Sequence, residues 1–280
     1  MDVLISVLIR TKNESDNIEA LLQKIHSQKE VEFEIIVVDS ESSDGTPDIA
    51  KRYTNNIFTI PQTDFTYGYS LNYGISKSSG QFIAIISGDA LPNSDYWLKE
   101  LLAPFKNKLI GGVCGKQMPG TNAHVSVLND YQTTYPDFSR IQSVVPFFSN
   151  ANSMIRKDLW EQTSFDETMI ASEDVAWVKS VQSKGYLIYY NPLASVIHPP
   201  KEPLRVVKKR SFRETKSMLS IDVAPSIKID SYFLVFLKLG KLFLKDMTFI
   251  IQKRLGLFSV FDSFFYRLFW LFGEYDANQK

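Results

Sequence analysis

Three short hydrophobic runs that each end in polar residues constrain the fold of this chain more than any other feature. The runs cover residues 3–9, 33–38 and 81–87 and are rich in Val and Ile. Helical patterns separate them, near residues 16–28, from residue 47 onward and at residues 69–78. With a further run at residues 57–60, this alternation predicts a parallel sheet about four strands wide, flanked by helices.

The chain is long and apolar enough to form a large core. It has 280 residues, of which 44% are hydrophobic and 22% are charged, which excludes a disordered chain. Its single cysteine, Cys114, excludes an internal disulfide framework, and its first residues lack the pattern of a signal peptide. These features predict a protein of the reducing cytoplasm.

The regular alternation ends near residue 109, and a long polar and aromatic stretch then extends to residue 147. We expect this middle part to shape an acceptor pocket. Strand and helix patterns resume between residues 152 and 190. We therefore predict a catalytic domain at residues 1–200, followed by a separate tail at residues 201–280.

The second hydrophobic run ends in a carboxylate, Asp39. Thr46 and Pro47, which come shortly after it, are typical of a helix start, with Thr as the cap and Pro in the first turn. Local structure does not explain Asp39 itself, which follows a strand at the edge where open α/β sheets bind ligands. We interpret Asp39 as a ligand contact; the alternative is that it caps the loop after the strand.

The first and third runs end in polar residues at the same edge of the predicted sheet. The first is followed by residues 10–14 (RTKNE), and the third by residues 87–89 (SGD). Asp89 could hold Mg²⁺ or Mn²⁺ against a diphosphate, because hard cations prefer oxygen ligands. The alternative for the first cluster is an ordinary loop that leads into a helix. Three polar strand ends at one edge predict a single crevice.

Glu173 and Asp174 open a helical pattern, and His198 follows the last strand pattern. Acids in the first turn stabilise a helix through its dipole, so capping is one interpretation of the pair. The other is that Asp174 is a general base, kept ionised by that dipole, which removes a proton from an acceptor hydroxyl. His198 is either a loop residue or a ligand of a metal or phosphate.

Taken in order and spacing, these motifs resemble those of an inverting family 2 glycosyltransferase with the GT-A fold. The resemblance spans roughly residues 3–200. It rests on residues 11–14 (TKNE), 37–46 (VVDSESSDGT), 88–92 (GDALP), 150–156 (NANSMIR), 165–167 (FDE), 173–174 (ED) and His198. Residues 64–68 (DFTYG), 115–119 (GKQMP) and 147–152 (FFSNAN) are most similar to bacterial polysaccharide rhamnosyltransferases.

The resemblance implies a role for each matching residue. The nucleotide would be held by Thr11, Asn13, Glu14, Asp39 and Asp89, with Asp39 at the pyrimidine ring. Asp89 and His198 would bind Mg²⁺ or Mn²⁺, Asp174 would be the catalytic base, and Glu173 would position acceptor or donor. Three positions depart from the family pattern: Ser87 replaces the first acid of the metal motif, Tyr67 replaces a His of the rhamnosyltransferase subgroup, and Gly88 stands where that subgroup often has Gln.

The function implied is transfer of a sugar, with inversion, from a UDP- or dTDP-sugar to a glycan or lipid-linked oligosaccharide in cell-surface polysaccharide synthesis. A sugar nucleotidyltransferase is a second possibility, but residues 10–14 lack the Gly-rich phosphate loop that it would need. A third is a catalytically inactive partner with the same fold, which the loss of an acid at Ser87 would suggest.

The tail differs from the rest of the chain in charge. Residues 1–200 carry a net charge of −7 and residues 201–280 carry +7. Lys238, Lys241 and Lys245 recur at helical spacing among Phe, Leu and Ile, which predicts a basic amphipathic helix. Charges interrupt the apolar residues too often for a membrane-spanning helix.

The second part of the tail, residues 255–272, is too apolar for a solvated surface. We expect the tail to lie on an anionic membrane at the inner face of the cell membrane. The alternatives are a bundle packed on the catalytic domain and a homo-oligomer through the tail helices. A nucleic-acid partner is not expected, because the basic residues lie on an apolar helix instead of in an aromatic groove.

Overall fold

The computed structural model describes residues 4–120, 122–142, 147–198, 202–223 and 228–279. Its strands are β1 (Leu4–Thr11), β2 (Glu32–Asp39), β3 (Ile57–Thr59), β4 (Phe82–Ser87), β5 (Leu91–Pro92), β6 (Ile110–Pro119), β7 (Arg140–Gln142), β8 (Asn152–Arg156) and β9 (Leu187–His198). Its α-helices are α1 (Ile18–His26), α2 (Thr46–Ala50), α3 (Tyr67–Ser76), α4 (Trp97–Leu102), α5 (Val125–Thr134), α6 (Lys157–Gln162), α7 (Glu173–Ser183), α8 (Leu204–Ser220), α9 (Tyr232–Gln252) and α10 (Leu257–Asn278).

The described strands form one mixed sheet in the order β3-β2-β1-β4-β8-β6-β9-β5, with β7 paired to β9. The first four strands in this order are parallel, as predicted. The width of four strands is wrong for the sheet as a whole, because β8, β6 and β9 extend it beyond β4. The two strand patterns expected at residues 187–190 and 194–197 form one continuous strand, β9.

The central strand β1 is buried on both faces, which explains its uninterrupted run of hydrophobic residues. Ile5 and Ile9 are fully buried and share a cluster with Leu22 of α1. On the other face, Leu8 packs against the backbone of Gly74 in α3, where no side chain would fit. This packing holds β1 firmly between its helices, so the polar residues at its end have a fixed position.

The chain divides into two compact units. The first comprises Met1–Met118, Tyr135–Met169 and Glu173–His198, and the second comprises Pro119–Thr134, Ile170–Ser172 and Pro199–Lys280. The domain boundary predicted at residue 200 lies outside the described residues. Residues 119–134, which the sequence pattern assigns to the catalytic domain, belong to the second unit in the structure because α5 packs with the tail helices.

The second unit is helical, and it is joined by a buried polar network as well as by apolar contacts. Asp246 of α9 is fully buried and accepts hydrogen bonds from Ser126 and Asn129 of α5 and from Arg267 of α10. Apolar clusters pack α9 against α10, around Val235, Leu239 and Leu271. Within the described part of the chain, none of the helices has the length and apolarity needed to cross a membrane.

Candidate active site

The polar strand ends meet at one edge of the sheet in the first unit. Thr11 of β1 lies beside Asp39 of β2 in the parallel register, and Arg10 lies beside Ser87 of β4. Asp89 follows β4 directly, and His198 ends β9. The structure therefore brings the predicted nucleotide and metal residues to a common edge. The parallel strands β1, β2 and β4 end on the same side of the sheet, and Nε2 of His198 lies 3.3 Å from Oδ1 of Asp89.

Asp39 is completely buried and already carries out a local structural role. Its Oδ1 accepts hydrogen bonds from the hydroxyls of Thr11, at 2.9 Å, and Ser42, at 2.6 Å. Its Oδ2 accepts one from the backbone N–H of Ser42, at 2.8 Å. The loop after β2 is thus capped by Asp39, and a ligand would use the remaining acceptor capacity of Oδ2.

Asn13 and Glu14 tie the loop after β1 to the loop after β2. Asn13 has a left-handed backbone with φ of 54°, and its side-chain oxygen accepts a hydrogen bond from the Ser43 N–H at 2.9 Å. The backbone N–H of Glu14 donates to the Thr46 hydroxyl at 2.8 Å. Burial raises the pKa of the Glu14 carboxyl above its usual range, and the negative charge of Asp89 raises it further.

Asp89 and His198 form a pair that a third residue orients. Oδ1 of Asp89 lies 3.3 Å from Nε2 of His198 and accepts a hydrogen bond from the Ser87 hydroxyl at 2.6 Å. Nδ1 of His198 lies 2.9 Å from Oε1 of Gln117, a buried residue of β6. Burial alone would raise the pKa of Asp89, but the hydrogen bond and charge of His198 and the Ser87 hydroxyl bring it below its usual range.

Glu173 and Asp174 begin α7, after Ser172 with its left-handed φ of 59°. The Asp174 carboxylate accepts hydrogen bonds from the backbone N–H of Asn150, at 3.2 Å, and of Val175, at 2.8 Å. The Asn150 side chain donates to Glu173, at 3.3 Å. The N-terminal position of both acids in the helix is as predicted.

The expectation that the helix dipole keeps Asp174 ionised is wrong. Burial of its carboxyl, followed by the negative charge of Glu173, raises the pKa of Asp174 to about 8. The two backbone hydrogen bonds and the charge of Arg10 oppose this shift without overcoming it. The site therefore holds a carboxyl that changes protonation close to neutral pH, where a general base is most effective.

Arg10 belongs to the polar cluster predicted at residues 10–14, but the sequence assigns it no role. Its guanidinium carbon lies 5.1 Å from the centre of the Tyr67 ring, a cation–π distance. Among the described residues, no hydrogen-bond partner exists for its buried Nε and Nη1 atoms. Gln117 lies in the predicted 115–119 motif, but its contact with His198 was missed, because a glutamine inside a strand carries no signal of the histidine that it contacts.

Solved structures show that this architecture is the fold of nucleotide-sugar transferases. The mannosyltransferase PcManGT from Pyrobaculum calidifontis, solved with GDP-Man and Mn²⁺, aligns with a TM-score of 0.62 and 18% identity over 79% of this chain and 63% of its own. Residues 1–349 of TarS from S. aureus, solved with UDP-GlcNAc, align with a TM-score of 0.61 and 17% identity over 80% and 67%. The predicted GT-A fold is confirmed by these likenesses.

The family follows from the sequence comparison. Residues 6–163, more than half of the chain, match the model of glycosyl transferase family 2. The chain belongs to this family, and the family resemblance found in its motifs is confirmed.

Proteins similar in sequence include two rhamnosyltransferases. The O-antigen chain rhamnosyltransferase WbaN of Salmonella anatum is 30% identical over 59% of this chain and 56% of its own length. The O-antigen chain rhamnosyltransferase RfbN of Salmonella typhimurium is 28% identical over 69% and 66%. Glycosyltransferase AglE of Haloferax volcanii is 27% identical over 82% and 77%. The chain thus spans between about half and two thirds of the length of these two rhamnosyltransferases.

Proposed function

We propose that this chain transfers a sugar from a nucleoside-diphosphate donor, a UDP- or dTDP-sugar, to a hydroxyl group of a glycan or lipid-linked oligosaccharide. The observation that carries the proposal is the presence, in one unit, of a carboxyl with a raised pKa and of a separate acid–histidine pair. The names of the rhamnosyltransferase relatives support a place in cell-surface polysaccharide synthesis.

In this proposal Asp174 is the catalytic base. Its carboxylate takes the proton of the acceptor hydroxyl while the hydroxyl oxygen forms a bond to the anomeric carbon of the donor sugar. The bond from that carbon to the diphosphate breaks, and the nucleoside diphosphate leaves from the opposite face, so that configuration inverts. Glu173 raises the pKa of Asp174 and thereby its basicity, and it would position the acceptor or donor.

Asp89 and His198 would hold the divalent cation, Mg²⁺ or Mn²⁺. A carboxylate oxygen and an imidazole nitrogen 3.3 Å apart suit a shared ion, and Gln117 at Nδ1 leaves Nε2 as the ligand atom. No cluster of three or more His, Cys, Asp or Glu side chains fit for a metal occurs in the described ranges. The remaining ligands would therefore be substrate oxygens and water. When bound, such an ion neutralises charge on the departing diphosphate.

The nucleotide would lie across the ends of β1, β2 and β4. Thr11, Asn13 and Glu14 would face it from the first loop, and Asp39 would accept a hydrogen bond from the base through Oδ2. The two loops are preorganised, because Asn13 and Thr46 tie them together before any ligand binds. Preorganisation lowers the entropy that binding must overcome.

Family membership favours this function over a sugar nucleotidyltransferase. The catalytically inactive partner is the competing proposal, because Ser87 occupies the place of an acid. In the structure the Ser87 hydroxyl donates to Asp89, so it orients the acid that is present. This contact supports a working metal site with one carboxylate.

Thermal-shift binding of UDP, dTDP, GDP and CDP, each with and without Mn²⁺, tests the proposal. We expect one nucleotide to raise the melting temperature of the wild type only when Mn²⁺ is present, because a ligand of the native state stabilises it. Asp89→Ala should abolish this shift, and the control Asp158→Ala, at a half-exposed carboxyl of the same unit, should keep it. Absence of any shift would favour the inactive partner.

The proposal also places the chain at the inner face of the cell membrane, where a lipid-linked acceptor would be met. The net charge of +7 on residues 201–280 supports an anionic membrane as a partner. Association of two copies through the tail helices is the alternative use of the same residues.

A further inference from the structure

The helices α9 and α10 leave large apolar side chains exposed around the turn that joins them. The exposed fraction is 70% for Ile251, 71% for Leu257 and 91% for Phe258. These values are far above those of the apolar residues that hold the two helices together, such as Val235 and Leu271, which are fully buried. Exposed apolar residues that are clustered mark a contact surface.

The exposed residues continue along both helices. On α9, Phe233, Leu237, Leu244 and Ile251 are separated by four or seven positions, which places them in one stripe. On α10, Phe258, Phe261 and Phe265 are separated by three and four positions and form a second stripe. We call these seven residues, with Leu257, the hairpin face.

The charge around the hairpin face is mainly positive. Residues 231–265 contain five basic side chains and two acidic ones. Asp246 is fully buried against Arg267, and Asp262 accepts a hydrogen bond from the backbone N–H of Val125 and pairs with His124. Lys238 pairs with Glu274 and Lys245 pairs with Asp130. The other three, Lys241, Lys253 and Arg254, are exposed and form no ion pair with any described residue.

This charge distribution distinguishes between the two occupants that such a face could have. If a second copy covered it, the unpaired cations of both copies would approach each other, and both acids of residues 231–265 are already engaged within the second unit. An anionic bilayer instead offers phosphate groups for the cations and acyl chains for the aromatic rings.

We infer that the hairpin face docks into the head-group layer of an anionic bilayer, with Leu257 and Phe258 deepest and Lys253 and Arg254 on lipid phosphates. Lys253 and Arg254 lie three to five positions before Leu257 and Phe258, and all four are exposed, so one contact with a bilayer engages both the cations and the apolar residues. The inference deepens the membrane association of the proposed function, on which it rests, by naming the residues that insert. It uses the second unit alone, so a failure of the proposed catalytic residues would leave it intact.

A single dye reports this insertion in the full-length chain. The native thiol, Cys114, is fully buried, and burial raises its pKa to about 12, so it will not compete for a thiol reagent. A nitrobenzoxadiazole dye can therefore be attached to the Phe258→Cys variant, and to Leu193→Cys as a control at a residue of the first unit that is 66% exposed.

The expected result is a several-fold rise in dye emission at position 258 when vesicles of phosphatidylcholine with phosphatidylglycerol are added. Vesicles of phosphatidylcholine alone should give little change, and the dye at position 193 should respond to neither. A rise at position 258 that depends on protein concentration without vesicles, together with a dimer in sedimentation velocity, would overturn the inference in favour of a second copy. No rise with either vesicle would also overturn it.

Unlabelled variants test the chemistry of the contact by co-sedimentation with the same vesicles. Lys253→Gln/Arg254→Gln should lower partitioning roughly 25-fold, because each basic residue near an anionic surface contributes about a fivefold factor. Leu257→Ser/Phe258→Ser should lower it as well, and neither change should unfold the chain because all four side chains are exposed. The control Lys106→Gln/Lys108→Gln, at exposed lysines of the first unit, should partition like the wild type. Equal partitioning of all variants would exclude the hairpin face as the docking surface.

Discussion

Asp174 in the first unit and Asp246 in the second are both enclosed carboxyls, yet their surroundings shift their pKa values in opposite directions. Asp246 is completely buried, and its two oxygens accept five hydrogen bonds, two of them from the Arg267 guanidinium at 2.8 and 2.9 Å. Asp174 is partly exposed, and among the described residues only two backbone N–H groups donate hydrogen bonds to it.

The difference shows that the balance between burial and pairing decides the charge state. Burial alone would raise the pKa of Asp246, but hydrogen bonds from Arg267, Ser126 and Asn129 bring it below its usual range. For Asp174, burial and the neighbouring Glu173 prevail, and the pKa rises to about 8. A carboxylate that is fully paired stabilises a fold, whereas one left short of donors is available for proton transfer.

The largest effect expected is on catalysis, in the Asp174→Asn variant. Loss of a general base should lower the rate of sugar transfer, measured as nucleoside diphosphate released in the presence of an acceptor, roughly 10²–10⁴-fold. Binding of the nucleotide with Mn²⁺ should remain, because in the described part of the chain no hydrogen bond or ion pair joins Asp174 to the Asp89–His198 pair. Asp158→Asn serves as the control and should turn over normally. Near-normal turnover of Asp174→Asn would remove Asp174 from the mechanism and break the comparison.

The same variant, Asp174→Asn, should lose activity but gain stability against unfolding at alkaline pH. The folded-state pKa of Asp174 lies above the value of an unfolded aspartate, so the native state binds more protons between about pH 4 and pH 8. Ionisation of Asp174 therefore costs stability as pH rises through this window. Asp174→Asn should be more resistant to urea than the wild type at pH 8.5, and the gain should vanish near pH 4.

Asp246→Asn should have the opposite consequence for stability. It leaves the buried Arg267 without its full countercharge, and breaking a buried ion pair costs roughly 3–5 kcal/mol. Urea unfolding at pH 7 measures this loss, with Asp222→Asn, at an exposed residue of the same unit, as the control. A loss no larger than that of the control would mean that burial and pairing in the second unit do not act as described.

The sequence predicts the common edge of the sheet well, for a simple geometrical reason. Parallel strands end on the same side, so Thr11, Asp39 and Asp89 are brought together by local patterns alone. The first amphipathic helix of the tail is equally visible, since α9 follows from the helical spacing of its lysines. In both cases the information lies within one element and its neighbours.

Contacts between segments that are distant in the sequence could not be predicted from local patterns. Asn129 and Asp246 are 117 positions apart, and no local pattern indicates that α5 joins the second unit through them. The pKa of Asp174 is a similar case, because helix position predicts an ionised acid while the enclosing residues raise the pKa. Arg10 likewise gains its importance from Tyr67, which lies 57 positions further along the chain.

The smallest effect expected, and the one that sharpens the comparison most, is in the Arg10→Gln variant. Arg10 is a positive charge that lowers the pKa of Asp174, and it takes up part of the role that Arg267 has for Asp246. Of the other titratable groups around Asp174, Glu173 raises this pKa, and Cys114, with a thiol pKa raised to about 12, is neutral at working pH. Removing Arg10 should therefore raise the pKa of Asp174 further.

A base must be deprotonated to act, so the acidic limb of the pH–rate profile should move to higher pH in Arg10→Gln. A shift of one pH unit lowers the ionised fraction about tenfold at pH values below both pKa values, and it leaves the rate unchanged well above them. Activity lost at pH 7 should thus return at high pH, and Arg10→Lys should keep the wild-type profile. A loss of equal size at every pH would show that Arg10 acts through binding or folding. In that case the charge of Asp174 would be set by burial and Glu173 alone, without the countercharge that Asp246 has in Arg267.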